Sequence, residues 1–299
     1  MDSQNDIVFR SAFIALAGRP NSGKSTLMNT VLQEQISIAT SLPQTTRRNI
    51  RGIYTTEEMQ IVFIDTPGIH KGKHTLNEIM LQEATSALGT GTDLICYLID
   101  LSRDFGKEEC ICASAVSGAN IPVMLVFNKT DLCPDIDIKA ASFFAKFPDL
   151  INFPQVRLSA VDPRAGEIFL NAASPFIHEG PKYFDDDSLT DATLRTLAAE
   201  FIRKQIILNT RQEVPHAVFV EIDSYKEEAS GHKIEASIHV ETIGQKGIII
   251  GSRGHLIDKI KRDSRRELEL LAGMRVSLKF HVKVTPNWRD NSAFLRSAR

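Results

Sequence analysis

The chain has 299 residues, of which 42% are apolar and 24% are charged, as in a soluble globular protein long enough for two domains. No apolar run is long enough to span a bilayer, and the N-terminus lacks the basic and apolar regions of a secretion signal, so we expect a cytoplasmic protein. The net charge is −2, but residues 244–299 carry 13 Lys and Arg against 5 Asp and Glu, which predicts a polyanionic partner for this C-terminal part.

The first predicted strand, Phe13–Ala17, leads into a phosphate-binding loop. Residues Gly18–Ser25 read G-R-P-N-S-G-K-S, and the pattern of Lys24–Leu32 predicts a helix directly after it. Glycines let backbone N–H groups curl around phosphate oxygens, and the helix points its positive end at the same anion. We therefore expect Lys24 to reach the β- and γ-phosphates of a nucleotide and Ser25 to ligate Mg²⁺, whereas the competing interpretation is a plain turn rich in glycine and serine. The loop residues that we assign to nucleotide binding are Gly18, Asn21, Ser22, Gly23, Lys24, Ser25 and Thr26.

A polar segment, residues 41–48, follows the first helix and reads S-L-P-Q-T-T-R-R. A threonine hydroxyl in this position would complete the Mg²⁺ shell when a γ-phosphate is present, and would order the loop. We predict Thr46 as that ligand and keep Thr45 as the alternative. The competing interpretation is a flexible loop whose threonines are solvated.

Two segments, residues 48–54 and 60–64, flank a short polar turn and predict an antiparallel pair of strands at the edge of a sheet. Asp65 ends the second strand, where the backbone can hold a carboxylate rigidly. We expect this carboxylate to bind Mg²⁺ through a water molecule. Gly68 lacks a side chain and can bring its amide close to a γ-phosphate. An ordinary turn at a strand end is the competing interpretation of this D-T-P-G segment.

Three further apolar runs predict buried strands, and helical patterns lie between most of the runs. This alternation predicts an α/β class with a mostly parallel sheet covered by helices on both faces. The strands are predicted at Leu94–Ile99, Val123–Phe127 and Val156–Leu158, and the helices at Leu76–Leu88 and Glu108–Ser117.

A third nucleotide motif, Asn128-Lys129-Thr-Asp131, directly follows the apolar run Val123–Phe127. An ionised Asp131 offers two acceptors, which match the adjacent ring N1–H and exocyclic amino group of guanine. Adenine has an acceptor at N1 and no amino group at position 2, so Asp131 discriminates against it. We expect Lys129 to lay its stem along the base and the Ala160 amide, after Ser159, to meet the guanine O6. These residues predict GTP and GDP as ligands, and a surface turn is the competing interpretation.

Hydrolysis is predicted to depend on Lys24, Thr46 and Gly68, which we place around the γ-phosphate. Ile69 follows Gly68, at the position where Ras-type GTPases carry a glutamine that orients the attacking water. Isoleucine cannot hydrogen bond to water, so we expect slow intrinsic turnover. Asn21 is a candidate ligand for a monovalent cation such as K⁺, which would stand in for an arginine finger.

The alternation of strands and helices breaks between residues 174 and 188, where proline, glycine and aspartate cluster. We predict a first domain over residues 1–180, a linker over 181–190 and a second domain over 191–299. A helix over residues 191–209, with Thr190 as its N-cap, opens the second domain. The remaining elements are predicted as strands 218–222 and 234–240, a glycine-punctuated helical stretch 243–271 and a strand 276–284.

A G-x-x-G loop, Gly251–Gly254, interrupts the helical stretch of the second domain. Glycines between two helices let a nucleic-acid backbone lie against the protein backbone, and neighbouring Lys and Arg side chains neutralise its phosphates. Helix-capping glycines beside a solvated basic face are the competing interpretation. The residues that we predict to bind RNA are Lys246, Gly251, Ser252, Arg253, Gly254, Lys259 and Arg262.

Over nearly its whole length the sequence resembles the Era family of bacterial GTPases. Beyond the nucleotide motifs, the resemblance rests on P-Q-T-T-R from Pro43, E-V-P-H from Glu213, Q-K-G-I-I-I-G from Gln245 and P-N-W-R-D from Pro286. It implies a Ras-like P-loop GTPase domain with a mostly parallel sheet, followed by an α+β type II KH domain. It also implies binding near the 3′ end of 16S rRNA, a role in maturation of the small (30S) ribosomal subunit, and peripheral association with the inner face of the cell membrane.

Two hypotheses follow from these motifs together with the family resemblance. In the first, the protein is a monomeric switch in which GTP alters how the basic second domain holds rRNA. In the second, it is an RNA-binding assembly factor and GTP is mainly a structural ligand, an alternative that Ile69 keeps open.

Overall fold

A computed structural model describes residues 8–37, 49–68, 76–77, 86 and 91–297, with side chains described as far as Leu295. Over these residues the chain divides into two compact units, one ending at Asp191 and the other beginning at Ala192. In the described part of the chain, none of the helices combines the length and the apolar character that crossing a membrane requires.

The first unit is built on a seven-stranded sheet. In its middle, β1 (Arg10–Ala17) lies parallel to β3 (Met59–Asp65) on one side and to β4 (Leu94–Asp100) on the other. At the edge, β2 (Ile50–Thr55) pairs antiparallel with β3, which confirms the predicted pair of edge strands. The other strands are β5 (Val123–Asn128) and β6 (Gln155–Arg157), both parallel to their neighbours, and the short antiparallel β7 (His178–Glu179).

Helices cover both faces of this sheet. On one face, α1 (Lys24–Leu32) and α4 (Ala165–Ala173) pack against a cluster that includes Ile14 and Leu16. On the other face, α2 (Lys107–Ser117) and α3 (Ile136–Lys146) pack against a cluster that includes Ala15 and Ala17. Successive side chains of a strand point to opposite faces of the sheet, and helices bury both faces here. Side chains that point either way must therefore be apolar, which explains the continuous apolar runs of the strands. Most of the helix predicted at Leu76–Leu88 lies outside the described residues.

The segment predicted as a linker is hydrogen bonded to the edge of the first unit. The fully buried side chain of Gln60 on β3 accepts from the backbone N–H groups of Tyr183 and Phe184, at 2.8 and 3.0 Å, and donates to the Phe184 carbonyl at 2.9 Å. The Ile53 N–H donates to the Leu189 carbonyl at 2.9 Å. These bonds fix the backbone of residues 183–189 along β2 and β3.

The second unit begins with α5 (Leu194–Asn209), whose N-cap differs from the predicted one. Thr193 caps the helix, since its hydroxyl accepts from the Thr196 N–H at 3.2 Å. Thr190, the predicted N-cap, donates its hydroxyl to the Arg51 carbonyl of β2 at 2.6 Å. The prediction of Thr190 was wrong because a contact with a distant strand occupies its hydroxyl.

A three-stranded sheet forms the rest of the second unit's core. The hairpin of β8 (Phe219–Glu228) and β9 (Gly231–Val240) is antiparallel, and β10 (Val276–Val284) lies parallel to β9. A parallel neighbour requires a crossover, which α7 (Ile243–Ile250) and α8 (His255–Ala272) provide. The predicted order helix–strand–strand–helix–helix–strand is confirmed, and the shorter helices α6 (Val214–Ala217) and α9 (Ser292–Ser297) are additional.

Candidate functional site

The loop between β1 and α1 has the backbone that a phosphate cradle requires. Gly18 and Gly23 have φ values of 143° and 101°, which disfavour any residue with a side chain. A Cβ atom on Gly18 would lie 2.6 Å from the Leu98 carbonyl oxygen, and one on Gly23 would lie 2.1 Å from Nδ2 of Asn128. Glycine is therefore required at both positions for steric and conformational reasons. Thr26 follows, half-buried in the first turn of α1.

Lys24 lies inside this loop. Its Nζ donates to the carbonyl oxygens of Gly18 and Arg19, both at 3.1 Å, and the side chain is buried. Burial lowers the pKa of Lys24, an effect that Asp65 and other nearby groups partly oppose. The Ser22 hydroxyl is also buried and has no hydrogen-bond partner among the described residues. A charged ammonium, an available hydroxyl and the loop N–H groups together fit a nucleotide phosphate.

The predicted metal ligands Ser25 and Asp65 are in direct contact. The Ser25 hydroxyl donates to Oδ2 of the fully buried Asp65 carboxylate at 2.6 Å. Ser37 donates to the same oxygen at 2.5 Å, a contact that no sequence motif indicated. Hydroxyl and carboxylate oxygens are suitable donors for Mg²⁺, so Ser25 and Asp65 fit the predicted site. Thr46, its alternative Thr45 and Ile69 lie outside the described residues.

Gly68 lies against the phosphate loop, although it is distant from that loop in sequence. A Cβ atom on Gly68 would come within 2.6 Å of the Pro20 nitrogen and 2.7 Å of the Pro20 Cα. Thr66 supports this approach, because its buried hydroxyl donates to the Leu16 carbonyl of β1 at 2.7 Å. The segment after β3 therefore lies against the loop that contains Lys24.

Asn128 joins the phosphate loop to the segments predicted to recognise guanine. Its Nδ2 donates to the Ser22 carbonyl at 2.7 Å, and its Oδ1 accepts from the Ala160 N–H at 2.9 Å. This is the amide that we expect to meet guanine O6. A guanine would have to share that N–H with Asn128, so the predicted contact stays a prediction.

Asp131 and Lys129 of the Asn128–Asp131 motif hydrogen bond to different partners. The Asp131 side chain is exposed, and its Oδ1 accepts from the Ser159 hydroxyl at 2.5 Å. Lys129, with φ 63°, donates from Nζ to Oδ2 of the buried Asp100 at 2.9 Å, which holds its stem in place. Burial of Asp100 favours its neutral form, but hydrogen bonds from Lys129 and Ser102 outweigh this and lower its pKa. The structure thus brings the side chains of Asp131 and Ser159 together and leaves the Asp131 carboxylate accessible.

The second unit presents an exposed loop between α7 and α8. Gly251 has φ 72° and Gly254 has φ 81°, and a Cβ atom on Gly251 would lie 2.6 Å from Cβ of Leu256. Ser252 and Arg253 between them are exposed. The remaining predicted RNA-binding side chains are the half-buried Lys246 on α7 and the exposed Lys259 and Arg262 on α8.

Two apolar side chains of α7 are exposed and were not predicted. Ile243 and Ile248 are 80% and 44% exposed, although isoleucine is usually buried. Unstacked bases can pack on apolar side chains while adjacent cations neutralise the phosphates. This helix–loop–helix surface therefore suits a single-stranded nucleic acid.

Comparisons with known proteins identify the family of each unit. Residues 13–129 match the family of 50S ribosome-binding GTPases, and residues 213–289 match the KH domain family. GTPase Era from a Geobacter species is 42% identical over 290 residues, which cover 96% of this chain and 97% of that protein. The corresponding protein of Caldanaerobacter subterraneus is 40% identical over 97% of both chains. The chain belongs to the GTPase Era family.

Two solved structures of the family have the same architecture over nearly the whole chain. One is Era in complex with MgGDPNP and nucleotides 1506–1542 of 16S ribosomal RNA, with a TM-score of 0.91, 32% identity, and coverage of 97% of this chain and 98% of that one. The other is an Aquifex aeolicus Era bound to GDP·AlF4⁻, with a TM-score of 0.90, 32% identity, and coverage of 97% and 99%. The expected Ras-like GTPase and KH domains are therefore confirmed.

Membership of the family makes this protein a GTPase that binds GTP and GDP together with Mg²⁺. When bound, Mg²⁺ would supply positive charge that neutralises the charge developing on the phosphates during hydrolysis. Ser25 and Asp65 would hold the metal ion, and Lys24 would place its ammonium against the phosphates. Preorganised charges of this kind stabilise a transition state because they need no reorganisation during the reaction.

Proposed function

We propose that this protein is a GTP-controlled switch that binds the 3′-terminal region of 16S rRNA and assists maturation of the small (30S) ribosomal subunit. The exposed G-x-x-G loop before a basic helix carries the proposal, because the exposed Arg253 of the loop is followed by the exposed cations Lys259 and Arg262 on α8. The family member solved with nucleotides 1506–1542 of 16S rRNA supports the identity of the RNA. The excess of Lys and Arg in residues 244–299 supports a polyanionic partner.

The proposal assigns hydrolysis to Lys24, Thr46 and Gly68, and slow turnover to the absence of a polar side chain at Ile69. K⁺ is part of it as well, with Asn21 as its ligand. Asn21 lies in the same loop as Lys24, which supports a ligand role. We expect faster hydrolysis in K⁺ than in Na⁺ at the same ionic strength, and equal rates would exclude this role.

The cellular setting of the proposal follows the family resemblance. In this proposal the protein is a monomer in the cytoplasm and associates peripherally with the inner face of the cell membrane. Flotation of the purified protein with and without vesicles of anionic lipid tests the membrane association, and sedimentation velocity tests the monomer.

Fluorescence anisotropy with labelled RNA tests the switch. The probes are the 3′-terminal sequence of 16S rRNA and a scrambled RNA of the same composition, each measured with GDP and with a non-hydrolysable GTP analogue. We expect preference for the natural sequence and an affinity that changes with the nucleotide. Equal affinity in both nucleotide states would favour the alternative, in which GTP is a structural ligand.

Two variants separate the two modules. Lys24→Ala should abolish nucleotide binding and the nucleotide dependence of RNA binding. Arg253→Glu should weaken RNA binding, spare GTP affinity and lower the salt dependence, with a log–log slope reduced by about 1 or more. Lys226→Glu is the matched control, because it reverses an exposed charge on β8. Loss of both activities in either module variant would contradict the proposal.

A further inference from the structure

A buried ion pair lies behind the phosphate loop. Nε of Arg19, the second residue of the loop, is 3.1 Å from Oε2 of Glu109 on α2. The Arg19 side chain is 5% exposed and the Glu109 side chain is fully buried. Glu109 belongs to none of the nucleotide motifs, so its buried charge has no part in the mechanism described above.

The rest of the Arg19 guanidinium is held by backbone at the end of β4 and just beyond it. Nη1 donates to the Asp104 carbonyl at 3.0 Å, and Nη2 donates to the Asp100 carbonyl at 3.1 Å. Asp100 also accepts from Lys129 of the guanine-recognition motif. Arg19 therefore attaches the phosphate loop both to α2 and to the segment that anchors Lys129.

The backbone of Arg19 contacts the lysine of the loop directly. Its carbonyl oxygen accepts from Lys24 Nζ at 3.1 Å, beside the equivalent contact to Gly18. A change in how the Arg19 side chain is anchored would shift this carbonyl, and with it the ammonium that meets the phosphates. A displacement of this kind is enough to weaken a preorganised site.

Glu109 is itself held in one orientation. The buried Tyr97 hydroxyl on β4 donates to its Oε1 at 2.5 Å, which leaves Oε2 to Arg19. Burial raises the pKa of Glu109, while Tyr97 and Arg19 act in the opposite direction. A buried carboxylate whose cation is removed is strongly unfavourable, so Glu109 and Arg19 constrain each other's position.

We propose that Glu109 is a positioning residue for the nucleotide phosphates, which acts through the side chain of Arg19 on the loop carbonyls that hold Lys24. The inference rests on the GTPase site and is independent of RNA binding. If Lys24→Ala kept its affinity for GDP, the site itself would be in error. If Lys24→Ala lost it and Glu109→Gln did not, only the present inference would fail.

Calorimetric titration of the full-length protein with Mg·GDP tests the role of Glu109. Glu109→Gln preserves the size of the side chain and its acceptor for Tyr97 but removes the charge opposite Arg19. Replacing residues that orient the protein ligands of a metal ion typically lowers metal affinity by about 10–100-fold, and we expect a loss in the same range for GDP. Glu108→Gln, an exposed neighbour in the same helical turn, is the matched control and should bind GDP as the wild type does.

A double-mutant cycle distinguishes positioning from a general loss of structure. Since Glu109 acts through Arg19, the variant with Arg19→Gln and Glu109→Gln should bind GDP no more weakly than Arg19→Gln alone. Losses that multiply in the double variant would overturn the inference, as would a GDP affinity of Glu109→Gln within about twofold of the wild type. If Glu109→Gln fails to fold, Tyr97→Phe provides the test, because it releases the Glu109 carboxylate without removing its charge. Unchanged GDP affinity in Tyr97→Phe would then overturn the inference.

Discussion

Replacing Asn128 with alanine should destabilise the first unit even when no nucleotide is present. The amide side chain is buried and bonds to two backbone groups, the Ser22 carbonyl at 2.7 Å and the Ala160 N–H at 2.9 Å. Ser22 and Ala160 are themselves buried, so water cannot readily replace either bond. Leaving a buried donor or acceptor unpaired costs about 1–3 kcal/mol, and the two together predict a loss of about 2–6 kcal/mol. That is a large part of the stability of an ordinary domain.

Urea unfolding followed by two signals measures this loss. The chain has a single tryptophan, Trp288, which is fully buried in the second unit, where its Nε1 donates to the Ala217 carbonyl at 2.9 Å. Tryptophan fluorescence therefore reports the second unit, whereas far-UV circular dichroism reports both. Asn128→Ala should shift the circular dichroism transition to lower urea and leave the fluorescence transition in place.

Asn120→Ala is the matched control for this experiment. Asn120 is exposed in the turn before β5, so its replacement should change the free energy of unfolding by no more than about 0.5 kcal/mol. A loss below about 1 kcal/mol for Asn128→Ala would refute the reasoning, because it would mean that Ser22 and Ala160 find other partners. A shift of both transitions would show that the first unit does not unfold separately.

Three further predictions concern the base, the G-x-x-G loop and the cysteines. Asp131→Ala should weaken GDP binding by at least about 100-fold and leave the weak binding of ADP unchanged, because guanine loses the acceptor for its two donors. Paired calorimetric titrations measure the ratio of the GDP and ADP affinities. An equal loss for both nucleotides would contradict this role of Asp131. Gly251→Ala should destabilise the second unit by about 1–3 kcal/mol, and by more than Gly254→Ala. Both glycines have positive φ, but only a Cβ atom on Gly251 would clash, with Leu256. Fluorescence of Trp288 during urea unfolding ranks the stabilities of the two variants. Alkylation near pH 8 should spare Cys96 and Cys112 in the native protein, because the thiolate is the reactive form. Burial raises the pKa of Cys112 to about 12 and also raises the pKa of Cys96. Mass spectrometry before and after unfolding checks this prediction, and labelling of Cys112 in the native protein would disprove it.

Motifs whose chemistry is local were determined by the sequence itself. The G-x-x-x-x-G-K-S spacing of Gly18–Ser25 specifies the turn, the positive φ values and the helix that follows, because all of these depend on neighbouring residues. The continuous apolar runs determined a sheet buried on both faces, since a strand exposed on one face would alternate. In the same way, the glycines of the G-x-x-G loop predicted a tight connection between α7 and α8.

Contacts between distant segments were decided only by the tertiary structure. Asn128 bonds to Ser22, 106 positions away, and Ser37 shares the Asp65 carboxylate with Ser25. The buried Gln60 side chain accepts a hydrogen bond from the Tyr183 N–H of the predicted linker. The Thr190 hydroxyl, which we expected to cap a helix, donates to the Arg51 carbonyl of β2. Periodicity shows which face of an element is buried, but a hydrogen bond depends on which segments meet and at what register. The pairing of Arg19 with Glu109 depends in the same way on how α2 packs beside the phosphate loop.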